Sequence, residues 1–415
     1  MIIASGDLKS PGKRSTDCTL AEVLRQYGPE YLRHHHVGPT QWKALWAITH
    51  CRTAALGAQR YWCRRCGFER NVYHSCRNRH CPQCQTQASS AWAAARTAEL
   101  LPVPYFHNVF TLPHQFNALV LYSERNRRAL LNLLFEATSQ TLMKFGRQEL
   151  GGKIGFTLVL HTWDQQLRPH FHLHALLASG ALSADGTRWI AGGAKFLFPV
   201  RRLSVVFRAK FLDGVARLLE EEALDLPPQL VHLSQPERRR AWLRRLRRIR
   251  WVVYSKPPFA GPQKLVQYLA RYTHRVGISN HRILACDNGQ VTFSWRDRGD
   301  GDRKKTKSLP APEFIGRFLK HVLPDRLMRI RHYGLFANRD KRERLNHVRQ
   351  LLGASPMQID SDQSQTLTDW LREVLGLDIQ QCPCCGSALE RQQVAQMRPS
   401  IEPLHVRTSD YIDTS

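Results

Sequence analysis

Histidine alternates with apolar residues in Pro169-His170-Phe171-His172-Leu173-His174-Ala175-Leu176. On a strand, a period of two puts all three imidazoles on one face and Phe171 and Leu173 on the other. A lone histidine reads as a core or surface residue, but three at i, i+2 and i+4 make the donor set of a metal ion. The spacing does not name the chemistry, since His-x-His also occurs in carbonic-anhydrase-type and cupin-type sites. Tyr268 and Tyr272 narrow it. They stand four apart in LVQYLARYTH, so a helix there carries both on one face, with Arg271 and Arg275 as a neighbouring stripe. Two tyrosines alone would read as core packing. Beside an imidazole metal site in a strongly basic chain, they read as nucleophiles for a phosphodiester. A phosphodiester repels an anionic nucleophile, and a divalent metal with open positions neutralises its oxygens and orients the scissile bond. With an ordinary pKa of about 10, a tyrosine needs that metal and nearby arginines to expose a phenolate.

The cysteines point to a second kind of metal. Six of the eleven lie between Cys51 and Cys84, and three between Cys382 and Cys385. Cys63-x-x-Cys66 and Cys81-x-x-Cys84, separated by 14 residues, have the spacing of two knuckles that hold one structural zinc. Gly67 lets the first knuckle turn tightly. Cys51, Cys76 and His80 remain in the same block as material for a second site. Arg77 and Arg79 lie between the knuckles, and a zinc-ordered domain would turn them toward phosphate. Cys382-Pro383-Cys384-Cys385-Gly386 is a further knuckle with no evident downstream partner, either a degenerate one or half of a ribbon completed by His405 or by an upstream group.

The chain has 415 residues and 61 Lys+Arg against 34 Asp+Glu, a net charge of +27, and nucleic acid is the usual counterweight to such a balance. Hydrophobic residues at 42% and charged residues at 23% exclude a wholly disordered chain. No apolar run reaches the ~18 residues of a membrane span, and the N-terminus MIIASGDLKSPGKR lacks the apolar core of a secretory leader, so no membrane partner is expected. Clustered C-x-x-C pairs suit a reducing cytosol better than a disulfide framework. Eight arginines fall within the thirteen residues from Arg238 to Arg250. Trp242, Leu246 and Ile249 form an apolar seam opposite them. The run is single-signed and without acidic partners in sequence, and Arg238, Arg239, Arg244, Arg245 and Arg248 are expected against a DNA backbone.

These residues need elements to hold them. Thr19-Leu20-Ala21-Glu22 is a capping box that starts a helix, and a second helix fits Thr40 to Ile48. An Ala-rich helix fits 88–101, a strand 104–113, and a helix 118–145. Residues 153–163 and 170–178 alternate as two strands, joined by the turn-like Asp164–Pro169. Helices follow at 200–224, 236–251 and 262–273, the last carrying the tyrosines. Short strands at 282–286 and 290–295 flank Asp287-Asn288-Gly289, a hairpin signal.

With these motifs the chain resembles the rolling-circle insertion-sequence transposases with two tyrosines, the insertion sequence ninety-one type, within the HUH endonuclease superfamily. The resemblance covers roughly residues 40–345 and rests on CRTAALG (51–57), YHSCRNRHCPQCQ (73–85), LLPVPYFHNVFTLPH (100–114), HTWDQQLRPHFHLHALL (161–177), YLARYTHRVGISN (268–280) and RIRHYGLFAN (329–338). It implies an α+β fold, with a central antiparallel sheet flanked by helices, the His-hydrophobe-His strand in its middle and a tyrosine helix against it. It implies His172 and His174 as the paired ligands. His161, eleven residues earlier on the preceding strand, is spaced like the third ligand of three-histidine relaxases, with His170 and Gln165 as rivals. Tyr268 and Tyr272 become the nucleophiles, leaving a 5′-phosphotyrosine and a free 3′-OH. The catalytic cation is magnesium or manganese, and zinc is structural.

The expected organisation is a flexible tail (1–17), a helical and zinc-binding DNA-binding domain (18–100), and an HUH nuclease domain (101–305). A helical extension (306–354), a polar linker (355–370) and a C-terminal tail with the CPxCG-like knuckle (371–415) follow. The implied protein is a bacterial transposase, cytoplasmic and nucleoid-associated, acting on single-stranded element termini. A replication initiator or relaxase uses the same chemistry, although no GxxxxGK[ST] helicase loop is present. A zinc-ribbon regulator with a dead nuclease domain, and a metallohydrolase that activates water, are the rivals of other classes. The intact tyrosine pair disfavours both.

Overall fold

The alternation at Pro169–Leu176 folds as a strand in the middle of a sheet. In this computed structural model the described residues are 18–84, 92, 95–193, 196–256, 277–357, 378 and 380–394. The chain begins with α1 (Leu20–His34) and α2 (Pro39–Thr49), then a hairpin of β1 (Ala58–Trp62) and β2 (Glu69–Tyr73). There follow β3 (Tyr105–Thr111), α3 (Asn117–Tyr122), α4 (Glu124–Glu149), β4 (Gly152–Lys153), β5 (Gly155–Trp163) and β6 (Pro169–Ala178). Next come β7 (Gly180–Ser183), β8 (Trp189–Ala191), α5 (Val200–Glu220), α6 (Pro236–Arg248) and β9 (Val253–Lys256). The remainder is β10 (Ile283–Asp287), β11 (Gln290–Asp297), β12 (Arg303–Pro310), α7 (Ala311–Leu319), β13 (Ile330–Gly334), α8 (Lys341–Leu351) and β14 (Glu390–Val394). The predicted capping box is present: the Thr19 amide donates to Glu22 Oε2 at 2.6 Å, and the Glu22 amide donates to Thr19 Oγ1 at 3.2 Å. Of the helix expected at 88–101, residues 92 and 95–98 are helical among the described ones, and the helix expected at 262–273 lies outside the described residues.

The fold is mixed α and β with antiparallel sheets. The central sheet has the order β13-β5-β6-β3-β9. Its two faces differ in chemistry because each strand alternates. Phe106 and Phe110 of β3, Phe156, Leu158 and Leu160 of β5, and Phe171, Leu173 and Leu177 of β6 share one buried face. Leu130, Leu134 and Phe135 of α4 and Phe207 and Phe211 of α5 pack against that face. Each such side chain contributes about 1.5–3 kcal/mol on leaving water. The opposite face carries the histidines.

The cores do not follow the expected domain boundaries. Leu20, Leu24, Leu45 and Ile48 of the N-terminal helices form one core with Ile283, Phe293, Phe314 and Phe318. The C-terminal segment is not a detached tail either, because β14 pairs antiparallel with β1, with Tyr61 opposite Arg391. Cys18 and Cys286 are joined in a disulfide, an exception to the expected metal-only use of cysteine. Among the described residues, no helix is long and apolar enough to cross a membrane.

Candidate metal centre and its cleft

His172 and His174 stand on β6, and pairing sets His161 of β5 opposite His172. A register shift between His161 and Trp163 marks a bulge, a device that re-aims a side chain at the end of a ladder. One ring nitrogen from each of His161, His172 and His174 comes within 4.8 Å of the others. The three residues are only 4%, 8% and 7% exposed. His170 is not among the converging ring nitrogens, although its ring lies beside that of His172 at 4.7 Å and is tilted toward that of His114 at 5.7 Å. Gln165 lines the cleft outside the imidazole cluster.

Backbone and neighbours orient the rings. His172 Nδ1–H donates to the His170 carbonyl at 2.8 Å, leaving Nε2 as its donor atom for a cation. His174 Nδ1 lies 2.7 Å from Nε2 of His107, a buried histidine on β3. If His174 offers Nε2 to a cation, its Nδ1–H donates to His107. Burial, then the like charge that neighbouring imidazoles would carry, holds His172 and His174 well below the usual histidine range. Burial pushes His107 down to about 4. The rings are therefore neutral near pH 7, the state a metal ligand requires.

The trio opens into a cleft of about 710 Å³. Trp163 and Arg168 line one side, Arg250 and Tyr254 another, and Trp295, Arg296 and Arg298 of the β11–β12 hairpin a third. Three aromatic rings among arginines suit single-stranded nucleic acid, whose bases stack while its phosphates seek cations. The sequence reading missed this hairpin and His107. Strand alternation through His107, Val109 and Thr111 could have found His107, but no local signal brings Trp295 to the histidines. Tyr268, Tyr272, Arg271 and Arg275 lie outside the described residues.

The arginine helix is α6. Leu246 is buried and Trp242 packs edge-on against Phe116 at 5.6 Å, so the apolar seam is core. Arg238, Arg244, Arg245 and Arg248 are exposed. Arg239 donates to the Leu219 carbonyl at 2.9 Å. The run has an acidic partner after all, since Arg247 bonds Asp213 at 2.7 Å. The helix leads into Ile249 and Arg250 at the cleft.

The cysteines group differently from expectation. Cys63, Cys66, Cys81 and Cys84 do not form one quartet. Cys81 and Cys84 meet Cys51 and Cys76, while Cys63 and Cys66 meet Cys382 and Cys385. The cause is the β1–β2 hairpin, which carries Cys63 and Cys66 at its tip. Its base brings the chain before β1 to the chain after β2, where the Arg52 amide donates to the His74 carbonyl at 3.1 Å. Two further expectations are corrected there. His80 Nε2 accepts from the Leu323 amide at 3.3 Å, so that nitrogen serves the backbone rather than a second zinc. Arg79 does not face phosphate: its guanidinium donates to the carbonyls of Leu323, Pro324 and Leu327 at 3.1, 2.7 and 2.7 Å. Arg77 is exposed.

Two family models match the chain. One described as "Putative transposase" covers residues 155–344, and one described as "Transposase zinc-binding domain" covers residues 23–112. The "Putative transposase y4qJ" of Sinorhizobium fredii is 42% identical over 370 residues, 88% of this chain and 92% of that protein. The "Transposase for insertion sequence element IS801" of Pseudomonas savastanoi pv. phaseolicola is 26% identical over 298 residues, 70% of this chain and 68% of that protein. No solved structure matches the chain.

Proposed function

The chain belongs to the insertion sequence ninety-one type transposases with an N-terminal zinc-binding domain, and from that premise we propose that it nicks single-stranded DNA at element ends by tyrosine attack and transfers the strand. The observation that carries this reading is the convergence of His161, His172 and His174 on one sheet face, at the floor of a cleft lined by arginine and aromatic side chains. Their donors fit a catalytic cation: three buried imidazoles, with the rings of His172 and His174 oriented by the His170 carbonyl and His107. Bound there, magnesium or manganese supplies Lewis acidity to a phosphodiester oxygen.

The residues of the chain do the rest. Arg168, Arg250, Arg296 and Arg298 hold phosphates along the cleft, and Trp163 and Trp295 offer faces for bases. A phenolic oxygen of Tyr268 or Tyr272 bonds to phosphorus as the bond to the 3′ oxygen breaks. The phenolic proton ends on that leaving oxygen, so charge and atoms balance. The products are a 5′-phosphotyrosine and a free 3′-OH. The linkage keeps the energy of the phosphodiester, so rejoining to a target needs no nucleotide cofactor. The second tyrosine holds a second strand while the first remains linked. This work belongs on chromosomal DNA in the bacterial cytoplasm.

The test mixes the full chain, manganese or magnesium, and end-labelled single-stranded oligonucleotides from the element termini. A covalent adduct on a denaturing gel is the expected result, and Tyr268→Phe with Tyr272→Phe should abolish it. If the double variant still forms a 5′-linked adduct, the nucleophile is another residue, and Tyr254 in the cleft becomes the next candidate.

A further inference from the structure

We propose that Cys63, Cys66, Cys382 and Cys385 hold a second structural zinc, which joins the C-terminal segment to the N-terminal module. The matched zinc-binding domain ends at residue 112, so half of this donor set lies outside it. The four Sγ atoms lie within 4.8 Å of one another, with Cys63 to Cys385 and Cys66 to Cys382 both at 3.5 Å. That spacing is too long for disulfides, whose sulfurs sit about 2 Å apart, and suits the edges of a thiolate tetrahedron with Zn–S of ~2.3 Å.

The two halves share a backbone design although 316 residues separate Cys66 from Cys382. The Gly67 amide donates to the Cys63 carbonyl and the Gly386 amide to the Cys382 carbonyl, both at 2.9 Å. The Cys63 amide donates to the Phe68 carbonyl at 2.9 Å, and the Cys382 amide to the Ser387 carbonyl at 2.8 Å. Both glycines take φ near +70°, at 72° and 70°, a region that costs other residues. Two Cys-x-x-Cys-Gly turns of one geometry, facing each other, are the halves of a zinc ribbon.

A third observation says why a metal is needed. The sheet that these turns close, β14-β1-β2, has almost no core: every residue of β2 is exposed, and in β1 only Ala58 and Tyr61 are buried. Such a small sheet cannot order itself by burying apolar area, and metal ligation supplies the missing free energy. Binding breaks four S–H bonds, forms four Zn–S bonds and releases four protons to the buffer. The centre is separate from the Cys51, Cys76, Cys81, Cys84 cluster, because five residues of β1, roughly 16 Å of strand, lie between the tip of the hairpin and its base.

Zinc per chain is measured on the full-length protein carrying His172→Ala and His174→Ala, so that metal at the imidazoles is not counted. Two zinc ions per chain are expected, falling to one when Cys382→Ser and Cys385→Ser are added. X-ray absorption of the two-zinc protein should show sulfur as the only neighbour, at ~2.3 Å. One zinc per chain before the cysteine substitutions overturns the proposal, and needs no further variant to fold. So does a content of two that survives them. An intact mass lower than that of the reduced chain by six hydrogens, four beyond the two lost at Cys18–Cys286, with one zinc, would mean two disulfides instead and would overturn it equally.

Discussion

Replacing His107 by Leu removes the ring that lies 2.7 Å from His174 Nδ1 while keeping an apolar side chain in a site only 1% exposed. The His174 Nδ1–H then loses an acceptor inside the protein, a loss of about 1–3 kcal/mol. Second-sphere partners of metal-bound histidines are worth about 10–100-fold in metal affinity, or about 1.4–2.7 kcal/mol, so the two routes agree. His107→Leu should raise the dissociation constant for manganese by that factor, read directly from the electron paramagnetic resonance of free manganese without DNA. The manganese concentration for half-maximal nicking should rise in parallel, with maximal nicking retained at saturation. His107→Gln keeps an acceptor oxygen in reach and should recover most of the affinity. An unchanged manganese affinity in the Leu variant would refute the orienting role. Equal loss in the Leu and Gln variants, with lowered thermal stability in both, would assign His107 to packing.

Arg244→Glu, Arg245→Glu and Arg248→Glu should together weaken single-stranded DNA binding alike for all sequences and flatten the salt dependence by a slope of roughly 2 or more; loss confined to one sequence would mean that α6 reads bases. Arg79→Ala removes three bonds to backbone carbonyls. It should cost about 2–4 kcal/mol in denaturant unfolding while DNA affinity stays within about twofold, and a selective loss of affinity would restore Arg79 to the DNA surface. His321 is buried, bonds the Leu167 carbonyl through Nε2 at 3.0 Å and is pushed by burial down to about 4. Its folded value lies below the ordinary ~6.5, so the unfolded chain takes up the proton first as pH falls; this contribution is whole above about 6.5 and fades toward 4, roughly 3 kcal/mol over the window. His321→Asn should flatten the fall in unfolding free energy between pH 7 and 5, and an unflattened fall would place the titration elsewhere.

The strands, the histidine face and the arginine helix were legible because each is written in local periodicity. Period two at His170–His174 separates the imidazoles from Phe171 and Leu173 without reference to the rest of the chain. The seam of Trp242, Leu246 and Ile249 likewise declares which side of α6 is core. His161 became a candidate only through the family resemblance, since its position depends on which residue of β5 falls opposite His172. The cysteine grouping misled because proximity in sequence stood in for proximity in space. Cys63 and Cys81 look like partners on the page, yet a hairpin sends its tip and its base to different places, and the tip meets a segment more than 300 residues away. The Trp295–Arg298 wall is of the same kind, a long-range placement that no window of sequence encodes.

Arg79 and His80 show what the misread residues do instead. Both bind the backbone at 323–327, and two residues later the Arg329 carbonyl accepts from the Leu160 amide at 2.8 Å. Ile330 then opens β13 opposite Val159, which itself lies opposite His174. The cysteine cluster that includes Cys81 and Cys84 is thus tied by hydrogen bonds to the strands that carry the imidazoles. Arginine suits this junction because its fixed fork of donors satisfies several carbonyls at once where a lysine would supply a point charge. A basic motif between two knuckles can therefore serve as a strut.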